Sequence, residues 1–452
     1  MLTYELKKAP GQPLYESLYR CLRQDILDGK LACGEKLPSK RALAENLKVS
    51  RITVENAYEQ LASEGYLRTE ERVGYFVEDV VRRKPARVVT LQQDAAEEKL
   101  LDLTANGPAR FPFSVWNRLQ LEVMREETGR LLQSGPHAGC LQLRHAIAGQ
   151  LWDFRGMAVD PENIVIGAGM DFLCNLLIQL LGRDRIYAVE DPGYDKIRRI
   201  YDAAGVQRIT VPMDGEGVLP EGLGRAEVLH ISPSHHFPTG ITTSKKRRDA
   251  LLCWAQQTGG YIIEDDYDSE FRFRSHPMPA LQTMDRQGRV IYMNSFSKTL
   301  APSIRVSYMV LPERLMEKFR QELGFYSCTV SGFEQYTLAR FLSGGHFEKH
   351  INRMRKFYKS RRDRVLTALE KCPCAHRFTV MEENAGLHFL LKVDTDLPED
   401  QLTERFLTAG IRVRTLDSYY AGKPPADRER ILVVNYSGLE EALLNKLENL
   451  TL

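Results

Sequence analysis

The sequence has no long apolar run, which argues against a membrane protein of the helical type. None of its apolar stretches reaches the roughly 18 residues that a membrane-spanning helix needs. The first residues, MLTYELKKAPGQPLYESL, also lack the apolar core of a signal peptide. From these two absences we expect a cytoplasmic protein with no membrane partner.

Paired cysteines are also missing from the sequence. The eight cysteines are scattered, and none forms the C-x-x-C pair that is typical of zinc and redox sites. Cys372 and Cys374 lie close together, but there is no second pair to complete a zinc site. We therefore expect reduced thiols and no metal.

An excess of charge of one sign is the third absence. The 452 residues include 62 Lys+Arg and 60 Asp+Glu, which leaves a formal net charge of +2. Nucleic-acid-binding domains are often strongly basic, so the composition neither favours nor excludes such a partner. Hydrophobic residues make up 43% of the chain, which is enough for large cores and excludes a mainly disordered protein.

The residue pattern divides the chain into three parts, 1–79, 80–98 and 99–452. In the first part, three helices bounded by Ser39, Ser50 and Gly65 precede a short hairpin, which is the order of a winged helix-turn-helix. The second part is polar and weakly patterned, which predicts a linker. In the third part, β-branched runs alternate with helical patterns, as in an α/β domain with a mainly parallel sheet. The predicted strands of this domain are 164–167, 186–190, 228–232, 261–265, 290–295 and 306–311.

The N-terminal part contains EKLPSKRALAENLKVSRITVENAYEQLASEGYLRTEERVGYFV. This stretch resembles, almost residue by residue, the winged-helix DNA-binding domain of GntR-type bacterial transcription regulators. Short polar and basic side chains at the start of a recognition helix can reach base edges in the major groove. This argument assigns base contacts to Ser50, Arg51, Thr53 and Asn56.

Other residues of the same part are predicted to contact the DNA backbone. Lys40 and Arg41 open the preceding helix, where they would meet a phosphate, and Arg72 and Gly74 would place the tip of the wing at the minor groove. Residues 1–79 hold 12 Lys+Arg against 13 Asp+Glu, so specific binding must come from charge clustered on one face. Glu55 lies on the predicted reading face, where it either accepts a hydrogen bond from a cytosine amino group or repels DNA.

The large domain carries a lysine motif directly after a predicted strand, NSFSKTLAPSIRV at residues 294–306. Lys298 would form a Schiff base with pyridoxal phosphate (PLP). The hydroxyls of Ser295 and Ser297 and the guanidinium of Arg305 would hold its phosphate, because the planar fork of arginine matches phosphate oxygens. The stretch resembles the lysine motif of fold-type I, aspartate-aminotransferase-like enzymes.

Further motifs of this enzyme class follow in the expected order. Residues 167–170 read GAGM, follow a strand and open a helix. The backbone N–H groups of Ala168, Gly169 and Met170 would cradle the phosphate. Tyr194, in DPGY, matches the aromatic residue that stacks on the cofactor ring.

An acidic motif, IEDDYD at residues 263–268, ends another predicted strand. We predict that Asp265 pairs with the pyridine nitrogen, because a carboxylate there keeps the ring protonated and a protonated ring is the better electron sink. Asp266 is the alternative for this contact. Tyr267 would reach the phenolic oxygen of the cofactor.

Together the two parts make the chain similar to the MocR subfamily of GntR regulators, in which a winged helix is fused to an aminotransferase-like domain. The resemblance implies PLP binding, a head-to-tail homodimer and a double-stranded DNA operator. It further implies a regulator that senses PLP, an amine or an amino acid through an aldimine at Lys298. The alternative is a catalytically active PLP-dependent aminotransferase.

Two departures from the enzyme pattern affect the cofactor contacts. Phe237 stands where the family motif N-P-T-G has an asparagine that binds the phenolic oxygen, and His235 or His236 is the candidate substitute. Ser134 stands where many aminotransferases have a tyrosine that reaches the phosphate of the partner subunit.

A third departure affects the substrate. Val433 stands at the place of the arginine that clamps the substrate carboxylate in the family. Arg412 or Arg414 is the candidate substitute, and we assign the contact to Arg414. Without such an anchor, α-amino acids are held less well and transamination becomes inefficient. All three departures therefore favour sensing over turnover.

Overall fold

The structure is a computed structural model, and it describes residues 2–4, 6, 13–70, 73–79, 100–105, 107, 110–271, 278–383, 386–425 and 429–451. The chain forms two compact units, Met1–Ala95 and Ala96–Leu452. The predicted linker, residues 80–98, lies outside the described residues, and its bounds stay a prediction. Among the helices described, none combines the length and apolar character that crossing a bilayer requires. The described residues also contain no group of His, Cys, Asp and Glu that is suited to a metal ion.

The first unit has the predicted order of three helices and a hairpin. Its elements are α1 (Leu14–Leu27), α2 (Lys40–Leu47), α3 (Arg51–Ser63), β1 (Leu67–Glu70) and β2 (Gly74–Val77). Ser39 and Ser50 cap α2 and α3, because their hydroxyls accept hydrogen bonds from the amides of Ala42 and Thr53. Strands β1 and β2 pair antiparallel over their whole length. Apolar residues of all three helices and of the hairpin form the core of this unit.

The second unit alternates helices and strands along most of its length. Its helices are α4 (Phe113–Glu126), α5 (Thr128–Leu131), α6 (Leu141–Arg155), α7 (Met170–Leu181), α8 (Asp195–Ala203), α9 (Lys245–Thr258), α10 (Leu281–Met284), α11 (Glu313–Glu322), α12 (Gly332–Ser343), α13 (His346–Lys371), α14 (Glu399–Thr408) and α15 (Asn445–Glu448). Its strands are β3 (Leu101–Asp102), β4 (Ile164–Gly167), β5 (Ile186–Asp191), β6 (Gln207–Asp214), β7 (Gly217–Val218), β8 (Val228–Ile231), β9 (Tyr261–Asp265), β10 (Val290–Ser295), β11 (Ser307–Val310), β12 (Phe378–Met381), β13 (His388–Val393), β14 (Ile411–Arg412) and β15 (Arg430–Asn435).

Eight of these strands form one sheet, in the order β4-β11-β10-β9-β8-β5-β6-β7. The pairings from β10 through β9, β8 and β5 to β6 are parallel, and β11 is antiparallel to both of its neighbours. All six predicted strands are present in this sheet. They read as nearly continuous apolar runs because a parallel sheet is buried on both faces.

The parallel strands end at the same edge of the sheet, and this edge positions the site. Strands β5, β9 and β10 end at Asp191, Asp265 and Ser295, and Ser232 follows the end of β8. Ligands of open α/β sheets bind at the carboxyl ends of the strands. A separate antiparallel sheet, β12-β13-β15, brings His388 and Asn435 from the C-terminal part of the chain.

Candidate functional site

A cavity of about 370 Å³ lies at the carboxyl edge of the large sheet. Its volume is within the range of small-molecule sites. The predicted site residues that line it are Met170, Tyr194, Asp265, Tyr267, Ser295, Ser297, Lys298, Arg305 and Arg414. Short motifs that are far apart in the sequence therefore meet in one place, because all of them except Arg414 follow strands of the same sheet.

Lys298 follows β10, is partly buried and lines the cavity. Burial lowers the pKa of this amine, and the negative charge of Asp268 opposes that shift. A lysine with a lowered pKa is a better nucleophile at neutral pH because more of it is uncharged. This environment suits a lysine that reacts with an aldehyde.

Asp265 ends β9 and offers an unsatisfied carboxylate oxygen to the cavity. Its Oδ1 is buried and makes no hydrogen bond to any described residue, and its Oδ2 lies 3.8 Å from Nε2 of His230. A buried carboxylate oxygen of this kind needs a donor, and a pyridinium N–H supplies one. The free acceptor on Asp265 therefore fits the ring nitrogen of PLP.

Asp266, the alternative for the nitrogen contact, does not line the cavity. Successive residues of a strand point to opposite faces, and Asp266 accordingly contacts Arg155 on the other side. The Arg155 Nε lies 3.1 Å from its Oδ2, and the hydroxyl of Tyr292 donates to the same oxygen at 2.6 Å. The structure brings only the first of these two neighbouring carboxylates into the cavity.

Arg305 lies against the turn that opens α7, where the sequence predicts the phosphate. Its Nη2 donates to Oδ1 of Asp171 at 2.7 Å and to the carbonyl of Ala168 at 3.3 Å. Gly169 has a φ of +97°, which favours glycine, and a Cβ there would lie 2.1 Å from Arg305 Nη2, so glycine permits the observed position of this guanidinium. This close approach places a guanidinium at the start of a helix, as an anion site requires.

Two of the three amides predicted to cradle the phosphate already donate hydrogen bonds. The Ala168 amide donates to Thr329 Oγ1 and the Gly169 amide to the Gly167 carbonyl, each at 2.9 Å. Neither Ala168 nor Gly169 belongs to the described residues that line the cavity, whereas Met170 does. A phosphate that bound all three amides would have to displace these acceptors.

Asp171 is a charged member of this region that the sequence analysis missed. Its carboxylate bridges Arg305 and Lys196, with Oδ2 lying 3.2 Å from Lys196 Nζ. Partial burial raises the pKa of Asp171, but the hydrogen bond from Arg305 and the other hydrogen bonds it accepts outweigh this and hold it below its usual range. The signal in the sequence was an acidic residue in the first turn after a glycine-rich turn.

Aromatic side chains also line the cavity. Tyr194 is half exposed, and its ring meets Phe237 edge-on at 5.7 Å. Phe237 in turn meets Tyr419 at 5.2 Å. Val433 is buried in a cluster with Leu390 and Tyr419, so the position of the family's carboxylate clamp is apolar here.

Of the two arginines considered as substitutes for this clamp, the structure brings Arg414 to the cavity. Its Nε donates to Ser418 Oγ at 2.9 Å, and its guanidinium lies 4.1 Å from the centre of the Tyr419 ring. Arg412 instead donates to Asp102 at 3.2 Å and is not among the cavity-lining residues of the described chain.

The two candidate histidines have different surroundings. The Nδ1 of His235 lies 2.9 Å from Asp268 Oδ2 and 3.3 Å from the hydroxyl of Tyr267. The Nδ1 of His236 lies 2.7 Å from Thr239 Oγ1, and its Nε2 lies 3.4 Å from Glu190 Oε2. His235 is therefore the histidine that contacts a predicted cofactor residue.

Several lining residues were not predicted: Asp268 belongs to the IEDDYD motif without an assigned role, and no motif marks the others. The lining residues that were not predicted are Glu190, His230, Asp268, His388, Tyr419 and Asn435. Burial raises the pKa of Glu190 well above its usual range, and the nearby charge of Asp265 adds to the shift. The position of Glu190 near a strand end, just before Asp191 and Pro192, was the available signal for it.

In the first unit, the start of α3 presents the predicted base-reading residues. The hydroxyls of Ser50 and Thr53 are 2.8 Å apart, and Arg51 and Asn56 are exposed. Ile52 is 67% exposed, which is unusual for a large apolar side chain and was not predicted. The predicted base-reading residues thus lie at the start of α3, where Arg51 and Asn56 face solvent.

The residues predicted to contact phosphates differ in their freedom to do so. Lys40 donates to Glu55 at 2.6 Å and also lies 3.8 Å from Glu59. The side chain of Arg41 is 84% exposed and pairs with Glu45. Gly74 begins β2 with a φ of +141°, and Arg72 lies outside the described residues.

Family models match both parts of the chain. The model described as bacterial regulatory proteins, gntR family, matches residues 14–77. The model described as aminotransferase class I and II matches residues 98–446.

Full-length relatives share both domains. The HTH-type transcriptional regulator YdeL of Bacillus subtilis is 36% identical over 98% of this chain and 96% of its own. The probable rhizopine catabolism regulatory protein MocR of Rhizobium meliloti is 30% identical over 95% of this chain and 91% of its own. The HTH-type pyridoxine biosynthesis transcriptional regulator PdxR of Corynebacterium glutamicum is 32% identical over 89% and 87%. The chain belongs to the MocR-type HTH transcriptional regulators.

A solved structure matches the large domain of this MocR-type regulator. The kynurenine aminotransferase of Pyrococcus horikoshii is 26% identical, covers 78% of this chain and 89% of its own, and has a TM-score of 0.67. The predicted fold is confirmed, with an N-terminal winged helix and a C-terminal fold-type I aminotransferase domain. The predicted cofactor class, PLP, is confirmed by the same family membership, and DNA is the partner of the first domain.

Proposed function

We propose that this regulator controls the binding of its winged helix to an operator through the occupancy of the Lys298 cavity. Lys298 would hold PLP, Asp265 would meet its ring nitrogen, and Arg305, Ser295 and Ser297 would meet its phosphate. Bound PLP supplies an electron sink and a reactive carbonyl carbon. The observation that carries the proposal is that these side chains line one cavity, while Val433, at the predicted position of a carboxylate clamp, is apolar and buried beside the lining residue Tyr419.

The effector is PLP itself or a small amine or amino acid that reaches Lys298. Arg414 is the cation at the rim that would hold an effector carboxylate, and Phe237 and Tyr419 would contact its apolar part. The name of the Corynebacterium relative, a regulator of pyridoxine biosynthesis, supports the vitamin as one signal. An effector shifts the DNA affinity only through its differential affinity for two arrangements of the protein.

We further propose that the regulator acts in the cytoplasm as a head-to-tail homodimer. Large apolar side chains are exposed along α4 and just after α5, including Phe113 at 68%, Leu121 at 54% and Leu132 at 82%. Exposed apolar side chains of this size favour a surface that another chain covers. The mass of the protein in solution tests this assembly, and a monomer would contradict it.

The effector role is tested with a panel of single amino acids and amines added to the PLP-loaded protein. An effector is expected to change both the cofactor absorbance and the affinity for DNA from upstream of the protein's own gene. Arg414→Gln should weaken the response to carboxylate-bearing effectors and leave the response to simple amines unchanged.

The same panel separates regulation from catalysis. Addition of a keto acid acceptor should give little or no turnover, because the substrate carboxylate lacks a bidentate anchor at Val433. Multiple turnovers together with an absence of specific DNA binding would instead support a working aminotransferase.

A further inference from the structure

A buried pair of side chains, His235 and Asp268, lies at the wall of the cavity that Asp268 lines together with Lys298 and Tyr267. Both members are 2% exposed at their side chains, and the His235 Nδ1 lies 2.9 Å from Asp268 Oδ2. The backbone is shaped around this imidazole, because a Cβ on Gly386 would lie 1.8 Å from His235 Cε1. Such a closely enclosed pair of a carboxylate and an imidazole needs a reason beyond packing, since burying a carboxylate is costly.

The distances fix which atom donates. A carboxylate only accepts hydrogen bonds, so the proton on His235 must be on Nδ1, which donates to Asp268. The Tyr267 hydroxyl oxygen is 3.3 Å from the same nitrogen. This oxygen can only accept a hydrogen bond from the His235 N–H, so the hydroxyl proton of Tyr267 points away from His235. The tyrosine is one of the residues that line the cavity.

Asp268 also acts on the lysine. It is the charged group that opposes the effect of burial on Lys298, because a nearby anion favours the ammonium form. His388, on β13, faces both His235, at a ring distance of 4.8 Å, and the charge of Lys298. Asp268 and His388, which are distant in the sequence, thus both act on the Lys298 region.

We propose that His235 and Asp268 are a positioning pair, in which Asp268 holds the charged form of Lys298 and His235 fixes both this carboxylate and the Tyr267 hydroxyl. The inference rests on the proposed role of Lys298 in holding PLP. The pair sets the pH at which the amine reacts with an aldehyde. His235 lies two residues before Phe237, which stands where the motif N-P-T-G has its asparagine.

The test is the rate at which the cofactor-free protein captures added PLP, measured by absorbance between pH 6 and 10. In this step the neutral Lys298 nitrogen adds to the aldehyde carbon, a C=N bond forms and water leaves. Borohydride then supplies a hydride to that bond, and the mass of the labelled peptide confirms Lys298. Only the neutral amine reacts, so the pH midpoint of the rate reports the proton affinity of Lys298.

Three titratable groups near the amine have pKa values that are shifted away from their usual ranges. Burial lowers the pKa of His236 to about 3, with a contribution from His235. Burial, His235, His236 and Lys298 lower the pKa of His388 well below its usual range. Burial and the charges of Asp268, Asp265, Glu190 and Asp266 raise the pKa of Tyr267 well above its usual range.

The two members of the pair are expected to shift the midpoint in opposite directions. Asp268→Asn removes the anion, so the midpoint should fall by about one pH unit and capture on the acid side should become about tenfold faster. His235→Phe leaves the carboxylate without its N–H donor and so strengthens its hold on the ammonium. Its midpoint should rise, and His235→Gln, which restores an N–H donor, should return it toward the wild-type value.

His236→Gln is the matched control, because His236 is equally buried but contacts Thr239 rather than Asp268. Its midpoint should equal that of the wild type. A purely structural role would weaken capture in both pair variants without moving the midpoint, and that result would overturn the proposal while leaving the proposed function intact. If wild-type Lys298 captured no PLP at all, the proposed function itself would fail. Thermal unfolding of each cofactor-free variant identifies any that do not fold.

Discussion

At the scale of single residues, Asp171 distinguishes this site from a simple phosphate cradle. Its carboxylate is bound to Arg305 at 2.7 Å and to Lys196 at 3.2 Å. If Arg305 holds the PLP phosphate as proposed, that phosphate competes with a resident anion for the same guanidinium. Since like charges repel, Asp171 is expected to weaken PLP binding. The fraction of the protein that holds PLP would then depend on the PLP concentration.

Replacement of Asp171 by asparagine tests this competition. Asp171→Asn should tighten PLP binding by about fivefold, a modest effect because the carboxylate is partly exposed. The measurement is a titration of the cofactor-free protein followed by absorbance. Pyridoxal, which lacks the phosphate, is the control ligand, and its affinity should not change. Weaker PLP binding in the variant would show that Asp171 orients Arg305 rather than competing with the phosphate.

The residues that the sequence could predict are those in short motifs at strand ends. Lys298, Asp265 and Tyr267 each belong to a motif, and all three line the cavity. His388 and Asn435 could not be predicted, because they arrive from a separate sheet and no local pattern marks them. The choice between Asp265 and Asp266 also required the structure, since adjacent strand residues point to opposite faces.

At the scale of elements, helices α2 and α3 of the winged helix are joined by an ion pair on the predicted DNA face. Lys40 at the start of α2 donates to Glu55 on α3 at 2.6 Å. This hydrogen bond lowers the pKa of Glu55 and keeps it ionised. The pair neutralises a cation that we predict to contact a phosphate, which fits a domain without an excess of basic residues.

Removal of the carboxylate should release Lys40 for DNA. Glu55→Gln is expected to raise the affinity for random-sequence DNA and to steepen the salt dependence by about one unit of log-log slope. Glu64→Gln, at the other end of α3, removes the same charge away from this face and is the control. If Glu55→Gln instead lost specific binding and relaxed the preference at one base pair, Glu55 would be a base-reading residue.

The predictability of an element depended on its burial. The strands at the centre of the sheet were predicted because their apolar runs are continuous, and 261–265 and 290–295 coincide with β9 and β10. Strand β6 (Gln207–Asp214) was not predicted. Most of its side chains are at least partly exposed and it contains Pro212, so neither a continuous apolar run nor a regular alternation marks it.

At the scale of the whole molecule, one chain joins a DNA-binding unit to a cofactor-binding unit. Relatives that align along nearly the whole chain share this arrangement, so the two units occur together in other regulators as well. If cofactor occupancy changes DNA affinity, DNA must change cofactor affinity by the same factor. The polar composition of residues 80–98 predicts a linker, which stays a prediction, and no local motif predicts how a ligand signal would pass from one unit to the other.

The most direct measurement compares wild type and Lys298→Ala on the same duplex from upstream of the protein's own gene. Fluorescence anisotropy at one fixed salt concentration gives the Kd with and without PLP. We predict that PLP changes the wild-type Kd by about fivefold or more, the size of a typical allosteric coupling, and leaves that of Lys298→Ala unchanged. An equal response of both proteins, or no binding beyond that to random DNA in either, would contradict control of the operator through Lys298.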